Sequence, residues 1–263
     1  MKGESLMNWK LTKKLFGLLF VLCLVTACSA TPTVDNSNNS APESGNTVEG
    51  ICANDYYPVI QGAAWTYKSM GSPAGDYKFT DAISAVNSDG FTLTSQYGEL
   101  TRTQEWGCKE EGLAALQLGG PTAATLNSQD MNFTFDVKKV DGLTYPVEMN
   151  PGKEWGHVIE FEGRMDIAGE TATAEGNAQT TFKVLGTESV TVPAGTFDAV
   201  KVQVNTNIVF TIQVQGISVP ASFSGTYAYW FAKGVGWVKA EGQGNITGTS
   251  FTETIELQSH SLP

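Results

Sequence analysis

Between Trp155 and Ile167 the chain alternates apolar and polar side chains with a period of two. Trp155, Ile159, Phe161, Met165 and Ile167 fall on one parity; Glu160, Glu162, Arg164 and Asp166 fall on the other. A helix would scatter these residues around its circumference, whereas a strand sends one set inward and the other to solvent. The same test separates Phe133, Phe135 and Val137 from Asn132, Thr134 and Asp136, and it groups Ile208, Phe210, Ile212 and Val214. Near the carboxyl end Phe251, Ile255 and Leu257 oppose Thr252, Thr254 and Glu256, with Glu253 breaking the apolar parity. Turn sequences such as Ser88-Asp89-Gly90, Val140-Asp141-Gly142, Asn150-Pro151-Gly152 and Pro193-Ala194-Gly195 separate the runs. No window of a dozen residues carries a helical stripe. Leu113 to Leu118 reads as a short helix or, after Glu111-Gly112, equally as a strand.

These patterns predict an all-β protein with a single antiparallel domain over residues 51–259 and a tail at 260–263 that includes His260. The domain has room for roughly ten to thirteen strands. Strands with one apolar face need that face covered, by closing the sheet, by a second sheet, or by an apolar ligand. A half-barrel or barrel is therefore expected, with a sandwich as the alternative. Composition agrees: only 16% of residues are charged, while 41% are hydrophobic, which excludes wholesale disorder. The net charge of −11 argues against a nucleic-acid partner.

The first residues read as an address. Lys10, Lys13 and Lys14 precede thirteen largely apolar residues from Leu15 to Ala27. As a helix that stretch spans about 20 Å, short of the roughly 30 Å hydrocarbon core and suited to a signal-peptide core. It ends in Leu24-Val25-Thr26-Ala27-Cys28, which resembles the lipobox of bacterial lipoproteins. That resemblance implies cleavage before Cys28 and lipidation of its thiol; an ordinary secretory signal is the plain alternative. Residues 1–27 are thus read as a leader, and residues 28–50 as the lipidated cysteine with a Ser/Asn/Pro/Thr-rich disordered tether. The leader carries a net +3, so the chain from Cys28 onward goes from −11 to −14. Two or three acyl chains, at about 0.8 kcal/mol per buried methylene, would hold it on a membrane. The expected location is the cell envelope, anchored to the outer face of the plasma membrane or to the outer membrane.

Of the four cysteines, Cys23 leaves with the leader and Cys28 takes lipid. Cys52 and Cys108 remain as an even pair in an oxidising compartment. Joined, they close a loop worth roughly 4 kcal/mol in the chain-entropy account. The alternative is two free buried thiols.

Three stretches carry a family resemblance. They are Tyr56-Tyr57-Pro58 with Gly62 to Tyr67, Ser189 to Phe197 with Ala199 to Val202, and Tyr229 to Lys239. In this order they resemble uncharacterised bacterial envelope lipoproteins with VPAGTF and GVG hairpin motifs, which are distantly similar to half-barrel carriers of the lipoprotein-localisation type. The resemblance implies a binding role and supplies no catalytic residues. Pro193 to Thr196 and Lys233 to Gly236 are also sufficient as hairpin chemistry.

No nucleophile elbow, Walker loop, dinucleotide fingerprint, zinc-protease motif or cofactor signature is present. The chain has two histidines; His157 shares parity with Trp155 and Ile159 and is expected to be packed. The aromatics say more. Trp65, Tyr67, Trp155, Tyr229, Trp230 and Trp237 form either core or the wall of a concave ligand face. The resulting expectation is a lipid-anchored envelope protein without catalytic activity, metal or cofactor. Its half-barrel would bind an apolar ligand or a lipidated envelope partner. A closed-core interaction protein and a carbohydrate-binding module are the alternatives.

Overall fold

The computed structural model describes residues 50–118, 125–128, 131–167 and 170–263. The leader, Cys28 and nearly all of the expected tether lie outside the described residues. Every regular element among those described is a strand. In chain order they are β1 (Ala64–Met70), β2 (Tyr77–Val86), β3 (Gly90–Tyr97), β4 (Leu100–Lys109), β5 (Gly112–Ala115), β6 (Thr125–Ser128) and β7 (Met131–Gly142). There follow β8 (Tyr145–Pro146), β9 (Glu154–Ile167), β10 (Glu170–Val192), β11 (Gly195–Val214), β12 (Ile217–Ala232), β13 (Gly236–Ile246) and β14 (Thr249–Ser261).

All 14 strands belong to one sheet, in the order β3-β2-β1-β14-β13-β12-β11-β10-β9-β7-β6-β4-β5-β8, with β3 also pairing with β4. Every pairing is antiparallel. The sheet curls into a half-barrel, so the sandwich alternative is corrected: curvature of one sheet covers the apolar faces, with no second sheet involved. The strand number exceeds the expected range because β5, β6 and β8 are two to four residues long and leave no alternation to read. Leu113 lies in β5, which resolves the helix-or-strand ambiguity there in favour of strand.

Both motif hairpins form where expected. Pro193 and Ala194 turn β10 into β11, and Lys233 to Val235 turn β12 into β13, with Gly234 at φ +71°, where a side chain would be strained. At the carboxyl end the strand runs past the expected boundary. His260 pairs with Trp65 and Ser261 with Ala64, and the His260 ring meets Phe197 edge-on at 6.2 Å. Backbone pairing with β1 carries these last residues, which is why their polar, exposed side chains gave no strand signal.

Sequence parity maps directly onto the two faces. Odd-numbered residues of β1 to β3 point inward, as Trp65, Tyr67, Ile83, Phe91 and Leu93 do. In β4 the even positions Arg102, Gln104, Trp106 and Cys108 do so. The segment before β1 folds inside the curl, with Tyr56, Tyr57 and Val59 buried. It is tied there by the Cys52–Cys108 disulfide. A second, smaller apolar cluster of Leu118, Ile159, Phe161, Ala178 and Ile208 lies farther along the long strands.

Candidate functional site

The concave side of the half-barrel is the place to look for function, since the sheet positions three layers of side chains there. The deepest layer is aromatic. The Tyr57 ring stacks on Trp65, Phe91, Trp106 and Tyr145 with centroids 5.0–5.9 Å apart. Tyr67 lies flat on Trp237 at 3.8 Å, and its hydroxyl donates to the Trp237 carbonyl at 2.9 Å. Trp65 Nε1 donates to the Val235 carbonyl at 2.6 Å. Such stacking adds roughly 0.5–1.5 kcal/mol per pair beyond area burial.

This arrangement decides the role of the aromatics singled out from sequence. Trp65, Tyr67 and Trp237 are 2%, 1% and 9% exposed. Tyr67 and Trp237 pack on each other, and Trp65 packs on Tyr57 of the segment before β1, which plugs the curl. Trp155 faces inward on β9, stacks on Phe182 at 5.0 Å and donates its ring N–H to the Thr144 carbonyl. Tyr229 also faces inward, edge-on to Trp237 at 5.7 Å. Trp230 points to the opposite face, as its odd-even position beside Tyr229 requires. There Lys201 and Lys239 cover its ring at 4.7 and 5.1 Å, and Glu188 accepts its N–H at 2.7 Å. The hydrogen bonds from Trp230 and Lys201 hold the Glu188 carboxyl below its usual range. The six residues therefore do not share one surface.

Beside the aromatic layer runs a buried polar row that sequence reasoning missed. Asp81, Ser95 and Arg102 are direct cross-strand neighbours on β2, β3 and β4. Arg102 donates to Gln104 Oε1 at 2.6 Å and to the Tyr97 hydroxyl at 3.4 Å. Burial raises the Asp81 carboxyl above its ordinary value, against the opposing pull of the Ser95 hydroxyl and the Arg102 charge. Burial likewise pushes the Tyr97 phenol up to about 12. The signal was present in the chain: Asp81 sits between Phe79 and Ile83 on the apolar parity, and Arg102 shares parity with Trp106.

The third layer lies where β1 ends and β2 begins. Glu253, the residue that broke the alternation, faces inward from β14. Ser69 Oγ donates to its Oε1 at 2.6 Å and the Tyr227 hydroxyl to its Oε2 at 3.3 Å. Beyond it, along β9 to β12, Phe161, Gly176, Phe210 and Ala221 form a cross-strand row on the inner face. On the opposite face of the same strands Lys138, Glu160, Glu162, Glu175 and Val209 line an open trough of about 940 Å³. His157 is buried on the inner face as expected, and burial lowers its pKa below the ordinary value. No group of three or more His, Cys, Asp or Glu side chains is placed to hold a metal ion among the described residues.

Among solved structures, a Bacteroides fragilis protein described as exported and YmcC-like in fold is similar over 80% of this chain and 100% of its own, with 14% identity and a TM-score of 0.46. A Parabacteroides distasonis protein described as a lipoprotein covers 80% of this chain and 99% of its own, at 15% identity and a TM-score of 0.38. The Escherichia coli protein YmcC, described as a hypothetical lipoprotein, covers 76% of this chain and 85% of its own, at 9% identity and a TM-score of 0.35. No curated protein matches the sequence. The family model described as DUF3108-like matches residues 102–250, from the polar row of β4 to the turn that enters β14. That span is more than half of the chain, and the chain belongs to the DUF3108-like family.

Proposed function

We propose that this protein is a lipid-anchored, non-catalytic binding protein of the cell envelope, whose half-barrel takes the acyl part of a lipid or lipidated partner. One observation carries the reading. The inner face of the long strands stays apolar beyond the packed aromatic layer, and its side chains there are only partly covered. Ile159, Phe161, Ala178 and Ile208 are buried, while Val137, Val140, Phe210 and Phe223 around them are half-buried. Gly176, between Phe161 and Phe210 in the row, lets Phe210 pack close to its backbone, where a side chain would collide with the Phe210 Cβ. The aromatic end supports the reading differently, as a rigid, disulfide-tied scaffold.

The anchoring half rests on the Leu24 to Cys28 sequence, and the non-catalytic half on the lack of any nucleophile, base or cofactor motif. The test is titration of the chain from residue 28 onward, carrying Cys28→Ser, with a fluorescent alkyl probe. Saturable binding that Phe210→Glu and Phe223→Glu each weaken about tenfold or more is expected, since each buries charge on the apolar path. A linear, unsaturable signal would overturn the acyl-binding reading. For the anchor, Cys28→Ala should move the protein from the membrane fraction to the soluble fraction.

A further inference from the structure

Glu253 occupies a position that the trough does not use. Tyr227, Gly242 and Glu253 are successive cross-strand neighbours on β12, β13 and β14. Because Gly242 has no side chain, the Tyr227 hydroxyl reaches across β13 to the Glu253 carboxylate. On the other side Ser69, which is fully buried and also bonds the carboxylate, is the cross-strand neighbour of Tyr77. The carboxylate is thus flanked by Tyr77 on one side and by Tyr227 and Tyr229 on the other, the last two standing 6.2 Å apart at 54°.

Charge is not balanced at this place. Among the described residues no Lys, Arg or His lies within ion-pair distance of Glu253. Its negative field reaches the rings: Tyr77, Tyr227 and Tyr229 are raised first by burial and next by Glu253. Glu253 itself is half-buried, so solvent and a small solute have access. An inward carboxylate lined by three electron-rich rings has the chemistry of a receptor for a large, weakly hydrated cation. Cation–π attraction acts within about 6 Å of a ring centroid and strengthens when the cation sheds its water. Ser69 and Tyr227 already donate their hydrogens to the carboxylate, so the remaining recognition is by ring faces and charge.

We propose that Glu253, with Tyr77, Tyr227 and Tyr229, forms a binding site for a quaternary ammonium group at the rim of the half-barrel. The site stands on its own residues and does not require the acyl-binding reading. An ammonium group of this kind comes either free in solution or on a lipid headgroup, and the test separates the two. The chain from residue 28 onward, carrying Cys28→Ser, is titrated calorimetrically with choline chloride and, in parallel, with phosphatidylcholine vesicles. Sodium chloride at equal ionic strength is the control. Glu253→Gln keeps an acceptor for Ser69 and Tyr227 but removes the charge. Tyr77→Leu removes one ring and leaves the charge of the carboxylate in place.

Saturable choline binding that each variant weakens by about tenfold, with thermal unfolding little changed, is the expected result. The same loss seen only with vesicles supports the site and assigns the ammonium group to a lipid headgroup. Binding that is absent in both arms, or equal in Glu253→Gln, or reproduced by sodium chloride, would overturn the proposal. Loss of alkyl-probe binding with retained choline binding would remove the acyl reading and leave this site standing.

Discussion

Asp81 and His157 show how single buried groups set the pH response of the molecule. Asp81 is held above its ordinary value by burial, which outweighs the Ser95 hydrogen bond and the Arg102 charge. The folded state therefore keeps this proton more tightly than the unfolded chain does. Stability from this residue is full below the ordinary carboxylate value of 3.8 and is lost as pH rises through the raised value. Asp81→Asn, which cannot ionise, should unfold close to the native protein at pH 3.5 and at higher temperature than it at pH 7. Equal or lower melting at pH 7 would mean that attraction to Arg102 outweighs burial. His157 runs in the opposite sense. Burial lowers it, so the unfolded state gains its proton first and stability falls as pH drops below 6.5. In His157→Leu the loss between pH 7 and 5 should shrink, as read by thermal unfolding across that range.

At the scale of elements, glycines mark where the sheet must bend or where strands come too close for a side chain. A Cβ at Gly242 would stand 2.2 Å from the Thr226 carbonyl oxygen and 2.7 Å from the Tyr227 Cα. Both contacts are with the backbone of the neighbouring strand, which cannot swing away. Gly242→Ala should therefore cost about 1–3 kcal/mol in chemical denaturation, the usual penalty of overpacking. It should also weaken choline binding, because Tyr227 reaches Glu253 over this position. The strand periodicity was legible at this scale: β9, β11 and the motif hairpins follow from alternation and turn chemistry. What alternation did not reveal is the short strands. Two to four residues, as in β8 and β5, are stabilised by pairing with distant neighbours and carry too few side chains to show a period.

For the whole molecule the disulfide is the long-range clasp. Cys52 and Cys108 are 56 residues apart, and their bond holds the plug segment against β4 under the aromatic stack. In the chain-entropy account it contributes about 4 kcal/mol. The double variant Cys52→Ser and Cys108→Ser should melt roughly 10 °C lower, and reductant should bring the native protein to the same temperature. An unchanged melting point would show that the plug is held by its stacked rings alone. Of the candidate aromatics, Trp65 is the one that packs against the plug. Tyr57 arrives from outside the strands and fills the space between Trp65, Phe91, Trp106 and Tyr145.

Local rules written along the chain were enough for the class of fold, the faces of the long strands, the motif turns and the pairing of Cys52 with Cys108. Each depends on neighbours in sequence, on backbone conformation, or on there being only two cysteines within the strand-forming region. Which inward groups meet was decided by tertiary structure alone. Ser69, Tyr77, Tyr227 and Glu253 come from four strands, and Asp81, Ser95 and Arg102 from three, brought together by register and curvature. A one-residue slip in any pairing would turn a strand's side chains to the other face. The single irregular Glu253 marked that something polar faced inward, but only the curl of the sheet supplied the rings around it.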